Sequence, residues 1–328
     1  MQVLQMATSK MLSQPLYVAA KLGIADLLVD GPLSVESLAQ KTKTHADSLY
    51  RVLRALASVG VFEENEGRTF RLTPKAETLC DRPGSTRGMV LWFGDPAHHR
   101  AWENLLYSVY TGKPGFDKAH GKPVFQYFME NRELSEIFNQ AMTGNARNIH
   151  AAVLEAYDFA PIKVLYDIGG GHGHLMAQVL AKTPGLKGGV FDLPHVVEGA
   201  RKDLASAGLD ARCECFGGDF FAGVPGGADA HIMSFILHDW SDDECVKLLG
   251  HCAKALPVGG RLLVMENVVA PGNAPSFGKL IDLEMLVMTT GRERSQAEFA
   301  QLFARAGFAL ERVVPTKSPV SLLEARRV

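Results

Sequence analysis

The chain has 328 residues, 34 Lys and Arg against 36 Asp and Glu, 47% hydrophobic residues and five cysteines. Charges that nearly cancel argue against a nucleic-acid or anionic-membrane binder, and no apolar run approaches the roughly 18 residues of a membrane span. The N-terminus lacks the order of a signal peptide, and an odd cysteine number without a C-x-x-C pair predicts reduced thiols in a cytoplasmic protein.

The length predicts two domains, each with its own core. Residues Met6–Val29 carry apolar positions at helical spacing (Met11, Leu12, Leu16, Val18, Ala19, Leu22, Ile24, Leu27, Leu28), too many for one narrow face. They predict one helix buried on more than one side, as an inter-subunit core would bury it. Ser34 or Ser37 caps a second helix. A third follows Thr44, with Leu49, Val52, Leu53 and Leu56 inward and Gly60 as its stop. VFEENEGRTFRLT then alternates about Gly67 as a hairpin. Three helices and a hairpin make a winged-helix pattern. Residues 1–80 hold nine Lys and Arg against eight Asp and Glu, the recognition helix offers only Arg51 and Arg54, and the hairpin tip is acidic (Glu63, Glu64, Glu66). Such a wing repels phosphate, so dimerisation fits better than DNA binding.

From Pro83 to Tyr157 the chain is aromatic-rich and mostly helical, interrupted by a Gly/Pro loop at Gly112–Gly121. Most of its aromatics are core. Phe138 and Met142, one helical turn apart, are the better candidates for an apolar acceptor pocket. After Pro161, strands and helices alternate. The strands are Val164–Ile168, Gly189–Asp192, Ala211–Phe216, Ala228–Phe235, Arg261–Val269, Phe308–Val314 and Val320–Ala325, with helices near 172–182, 195–206, 242–256 and 295–306. Ser241 and Glu244 form a capping box. The alternation predicts a mostly parallel sheet with helices on both faces. Pro315–Pro319 is too short for a crossover, so the last two strands pair antiparallel.

The stretch VLYDIGGGHG (Val164–Gly173) is a buried strand followed by a glycine turn, the arrangement of a nucleotide-type site in an open α/β sheet. A dinucleotide fingerprint started at Gly169 or Gly171 would need a small residue at His174 or Met176, and neither is small. The pattern that fits is D-x-G-x-G-x-G from Asp167, which resembles motif I of the S-adenosylmethionine (SAM) methyltransferases. Ligands in such sheets bind beyond the carboxyl ends of the strands, and chemically capable residues gather there. They are Asp192 in FDLP, Gly218-Asp219-Phe220, His238-Asp239-Trp240 and Glu266 in VMENVV. Asp192 stands where an acid grips ribose hydroxyls, and Asp219 with Phe220 suits an adenine. An imidazole titrates near pH 6.5 and can take a proton from a hydroxyl, so His238 is the candidate general base. Glu266 is read as the partner of its other ring nitrogen, with Glu293 in GRERS as second candidate. Asp239 is expected to point elsewhere, its role structural, cofactor-binding or catalytic. A metal centre from His231, His238, His251, Cys245 and Cys252 lacks ligand spacing, so none is expected.

DIGGGHG, FDLPHVV, GDFF, ILHDWSDDEC, ALPVGGRLLVMEN and GRERSQAEFAQLFARAGF, in this order, are similar to the SAM-dependent O-methyltransferases. That group includes plant caffeate and flavonoid enzymes, acetylserotonin O-methyltransferase and bacterial polyketide and phenazine tailoring enzymes. The resemblance covers essentially the whole chain. It implies a Rossmann-like α/β methyltransferase sheet, mostly parallel with an antiparallel last strand, at 161–328. A mainly α winged-helix dimerisation domain precedes it at 1–82, and a helical linker with the substrate-pocket segment spans 83–160. It implies His238 as general base flanked by Glu266 and Glu293; Asp239, beside the histidine in sequence, is carried as a further catalytic candidate on its position alone. The cofactor, SAM (leaving as S-adenosylhomocysteine, SAH), falls to Asp167, Gly169, Gly171, Asp192, Leu193, Gly218, Asp219, Phe220 and Ser234. An aromatic acceptor falls to Phe138, Met142, Trp240, Met285 and Met288, and the enzyme is expected to be a cytoplasmic homodimer of secondary metabolism. One departure is visible: plant members carry a lysine where this chain has Ser234. Two other classes also fit the pattern, a methyltransferase fold turned to hydroxylation or pericyclic chemistry and a winged-helix ligand-binding regulator.

Overall fold

The computed structural model describes residues 2–82 and 84–328, apart from the side chains of Thr143, Asn145, Arg147 and Asn148. The expected boundary at Pro83 therefore lies outside the described residues. The chain forms two compact units, Met1–Glu103 with Ala119–Ala146 and Asn104–Lys118 with Arg147–Val328.

In the first unit the helix expected over Met6–Val29 is three pieces, Gln2–Ala7, Lys10–Lys21 and Ile24–Leu27. The second break has a plain cause: Gly23 takes a left-handed φ of 65°, which ends one helix and caps the next. Ala19, Ile24 and Leu28 are buried, but Met11 is 65% exposed and Leu12 44%, so within one chain this segment is not buried all round. Ser34, not Ser37, caps the helix Val35–Thr42 by accepting the Ser37 N–H at 3.2 Å. The helix Ala46–Ala57 is capped by His45. Three antiparallel strands, β1 (Leu33–Ser34), β2 (Phe62–Asn65) and β3 (Thr69–Leu72), complete the winged pattern in the order β1-β3-β2, turning at Gly67. Leu38, Leu49, Leu53, Leu56, Phe62 and Phe70 meet in its core, each side chain contributing about 1.5–3 kcal/mol of burial. Farther on, the expected Gly112–Gly121 loop contains a helix, Gly115–His120, which is in the second unit up to Lys118.

The second unit is built on a seven-stranded sheet. Its strands are β4 (Val164–Ile168), β5 (Lys187–Asp192), β6 (Cys213–Gly217), β7 (Ala230–Ser234), β8 (Arg261–Asn267), β9 (Phe308–Pro315) and β10 (Val320–Arg327), in the order β6-β5-β4-β7-β8-β10-β9. The first five run parallel, and β10 pairs antiparallel with both β8 and β9. The apolar runs have the cause expected of parallel strands, burial on both faces. Ile232 and Leu263 enter one core with Leu165, Leu175 and Val190, while Met233 and Val264 enter the other with Leu248, Phe299 and Phe303. Strand β6 starts at Cys213 rather than Ala211 because Asp210–Arg212 form a 3-10 turn. Strand β7 stops at Ser234, because Phe235 takes a left-handed φ of 55°. All five cysteines are free, and burial pushes the Cys213 thiol up to about 12.

Candidate active site

Strand β4 runs into three glycines with left-handed φ values, Gly169 (76°), Gly171 (56°) and Gly173 (77°), before the helix His174–Lys182. These angles are inexpensive only for glycine. A Cβ on Gly169 would lie 2.5 Å from Ile236 Cδ1, whereas one on Gly171 would meet nothing within 4 Å, so the turn is packed on one flank and open on the other. Asp192, ending β5, accepts the Gly171 N–H at 2.8 Å and the Leu193 N–H at 2.7 Å. Gly218 donates to the Asp192 carbonyl at 2.9 Å, and Asp219 Oδ1 accepts the Phe221 N–H at 2.8 Å. The Phe220 ring is held edge-on by Phe221 (4.8 Å) and Trp240 (6.0 Å between centroids).

Asp167 lies beneath the turn rather than on it. It is 1% exposed, its Oδ1 finds no hydrogen-bond partner among the described residues, and a Cβ on Gly170 would press on its Cγ at 2.7 Å. Burial, reinforced by the Asp192 charge, pushes its carboxyl up to about 8, so it stays protonated at neutral pH. Ser234, in place of the lysine, pairs its hydroxyl with Nε2 of the buried His150 at 3.3 Å. Burial, with a contribution from His174, pushes that imidazole down to about 4 and keeps it neutral.

His238 sits in a short 3-10 turn, Leu237–Asp239, reached through the strained Phe235. Its Nδ1 bonds Glu293 Oε1 at 3.0 Å, with Glu266 Oε2 farther away at 3.8 Å. The expected order of the two glutamates is therefore reversed. Glu266 is fully buried, and its Oε1 is already engaged by the backbone N–H groups of Leu237 (2.9 Å) and His238 (3.3 Å). It fixes the turn, while Glu293 orients the ring. Asp239 does not point elsewhere: its Oδ1 is 3.7 Å from His238 Nε2. Glu293 is itself placed by Asn267, which donates to Oε1 at 3.1 Å, and by its own N–H on Asp282 at 2.8 Å.

Sequence reasoning missed the group that holds this turn. Arg294, with no exposed surface, donates to the carbonyls of Leu237 (2.8 Å) and Trp240 (2.9 Å) and pairs with Asp242 Oδ1 (2.8 Å). Gly291 completes the clamp, since a Cβ there would lie 1.8 Å from the His238 carbonyl oxygen. The signal was present in GRERS, beside the glutamate that was singled out. Met285 and Met288 are buried on the helix Phe277–Met288, and Trp240 contacts the Phe220–Phe221 pair. In the first unit Phe138 stacks on Phe128 at 4.7 Å and meets Trp92 edge-on, while Met142 is 37% exposed.

Burial disfavours charge on His238, but Glu266, Asp239 and the hydrogen bond that the ring donates to Glu293 outweigh it and push the ring up to about 10. The resting ring is thus an imidazolium at neutral pH, not the neutral base its ordinary value implied. Its folded value is raised, so its stabilising contribution is full below about 6.5 and is lost as the pH climbs through about 10. The ascending limb of kcat/KM should accordingly lie well above the ordinary imidazole range. Glu293→Gln, which removes one of the charges holding the proton, should move that limb to lower pH. A limb that stays put in pH–rate profiles would remove Glu293 as the ring's charge partner.

Two family models match the chain, an O-methyltransferase domain over residues 102–309 and an O-methyltransferase dimerisation domain over residues 4–82. The chain is similar to a phenazine O-methyltransferase of Lysobacter antibioticus, 45% identical over 327 residues, covering 99% of this chain and 96% of that one. It is 40% identical over 318 residues to a mitomycin biosynthesis 6-O-methyltransferase of Streptomyces lavendulae, covering 96% and 91% of the two chains. Among solved structures it resembles an O-methyltransferase from neocarzinostatin biosynthesis in complex with SAM and 2-hydroxy-5-methyl naphthoic acid. That match has a TM-score of 0.84 and 32% identity and covers 96% of each chain.

Proposed function

The chain belongs to the family of SAM-dependent O-methyltransferases that join this catalytic domain to a dimerisation domain, and from that premise we propose that it methylates a phenolic or enolic hydroxyl of an aromatic small molecule, with His238 as general base. The observation that carries this reading is the His238 ring itself. Glu293 occupies Nδ1 at 3.0 Å, so Nε2, once the imidazolium has given up its proton, is the nitrogen that accepts the hydroxyl proton. A phenol of pKa about 10 is matched to a ring held near that value, so proton transfer within the site is close to balanced. When bound, SAM supplies an electrophilic methyl group on a sulfonium. Holding the acceptor oxygen in line with it provides much of the remaining acceleration.

The turn fits that cofactor: its Gly171 flank is open, and an acid stands at the end of each of the next two strands. Gly169, Gly171 and Gly218 would offer backbone, Asp192 with Leu193 the ribose contact, and Asp219 with Phe220 the adenine contact. Asp167 would support the turn from below, and Ser234 would act through His150. Trp240, Met285 and Met288, all in the second unit, are assigned to the acceptor. The exposed Val3, Leu4, Met6, Met11 and Leu12 support a homodimer formed through the N-terminal domain, since a partner would remove this apolar surface from water. No helix among the described residues is long and apolar enough to cross a membrane. The near-neutral charge fits a neutral planar acceptor of secondary metabolism and a cytoplasmic enzyme.

Calorimetric titration with SAM and SAH, with NAD as control, followed by mass spectrometry of a phenol panel tests the reading. Binding of both sulfur compounds, SAH release and a product heavier by one CH2 are expected. Turnover that adds no carbon, or methylation confined to amines, would overturn it.

A further inference from the structure

We propose that His172, His174 and Asp203 form a binding site for a divalent transition-metal ion on the outer flank of the glycine turn. One imidazole nitrogen from each histidine and one carboxylate oxygen lie within 4.8 Å of one another. His172 Nδ1 is already 3.6 Å from Asp203 Oδ2, and the two rings are 6.3 Å apart with 34° between their planes.

The backbone builds this cluster. His172 is held between Gly171 and Gly173, both left-handed, and His174 opens the helix that follows. Asp203 comes from the helix Pro194–Ser206, one turn beyond Gly199 on the same face. A Cβ on Gly199 would lie 3.0 Å from Cε1 and Nε2 of His172. The missing side chain is therefore what lets the imidazole lie against the helix with Nδ1 turned to Asp203. The three residues border a hollow of about 430 Å³ with Ala177 and Leu204, leaving room for water to complete a coordination shell.

Two imidazoles and one carboxylate suit Zn²⁺, Ni²⁺ or Cu²⁺, not Mg²⁺ or Ca²⁺, which require oxygen donors. The other such grouping among the described residues, His238 with Glu266 and Glu293, already has Nδ1 engaged by Glu293 and Glu266 Oε1 engaged by backbone N–H groups. Spacing along the chain predicts no metal centre here, because Asp203 lies a helix and a strand beyond the histidines. An ion at this position would tie the glycine turn to the helix that starts beside Asp192.

The test is calorimetric titration of chelator-treated, tag-free enzyme with zinc chloride, with magnesium chloride as control. Saturable zinc binding at one equivalent per chain is expected, with no heat from magnesium. His172→Ala and Asp203→Asn replace exposed groups, and each should weaken binding by more than the roughly 10- to 100-fold that outer-shell partners cost. His238→Ala should leave zinc binding unchanged. No saturable binding, binding that survives both exposed substitutions, or binding lost in His238→Ala would overturn the proposal.

Discussion

His238→Ala should lower kcat by about 10²–10⁴, the range in which a positioned acid–base group contributes, while SAH affinity measured by calorimetry stays unchanged. The expected separation follows from the site's two halves. The glycine turn, Asp192 and Gly218 are held by their own hydrogen bonds at the ends of β4 and β5, and none of these bonds involves the imidazole. A second effect accompanies the first. Removing the ring leaves Glu266, Asp239 and Glu293 without the positive charge that balances them, and burial already pushes Asp239 up to about 6. Buried acids with raised values bind protons more tightly folded than unfolded, so their ionisation costs stability as the pH rises. The variant's own stability should therefore fall as the pH rises from 5 to 8 in thermal denaturation. Wild-type turnover in His238→Ala would eliminate the general-base assignment, whatever the stability data show.

What the sequence disclosed and what it hid have a common physical explanation. Strands buried on both faces leave continuous apolar runs, so β4, β7 and β8 were legible, as was the antiparallel closing hairpin forced by a short connection. Glycines that need left-handed angles were legible as a turn at Gly169–Gly173, yet the same property at Gly23 was overlooked inside a helical apolar pattern. Contacts between residues far apart in the chain leave no periodicity. Whether Glu266 or Glu293 meets His238 depends on which carboxylate the backbone of the 3-10 turn has already engaged, and no spacing rule contains that. The pairing of Ser234 with His150 is hidden for the same reason. His172 and His174 entered the sequence argument only as residues around a glycine pattern, because the partner that gives them chemistry is on another helix.

The largest stability effect is expected at Arg294, and it also distinguishes a positioning role from a purely structural one. Arg294→Met should destabilise the fold by about 3–5 kcal/mol, the usual consequence of removing one partner of a buried charged network. The substitution fills the volume but leaves the buried carbonyl of Leu237 without its 2.8 Å donor and that of Trp240 without its 2.9 Å donor. Arg294→Lys keeps the charge, but one ammonium lacks the planar fork that reaches both carbonyls and Asp242, so its loss should be intermediate. Asp242→Asn is the control. Its side chain is 36% exposed and its replacement spares both carbonyl contacts, but it leaves the buried guanidinium without its carboxylate, so a loss smaller than that of Arg294→Met is expected. Kinetics at a temperature where all three variants remain folded then decide the role. The two carbonyls that Arg294 grips bracket His238, and Glu293 precedes the arginine directly, so a loosened clamp misaligns base and orienter together. Arg294→Lys should therefore lower kcat and shift the ascending limb of the pH profile while SAH affinity holds. A variant that melts earlier yet keeps the wild-type kcat and pH profile would reduce Arg294 to a stabilising residue.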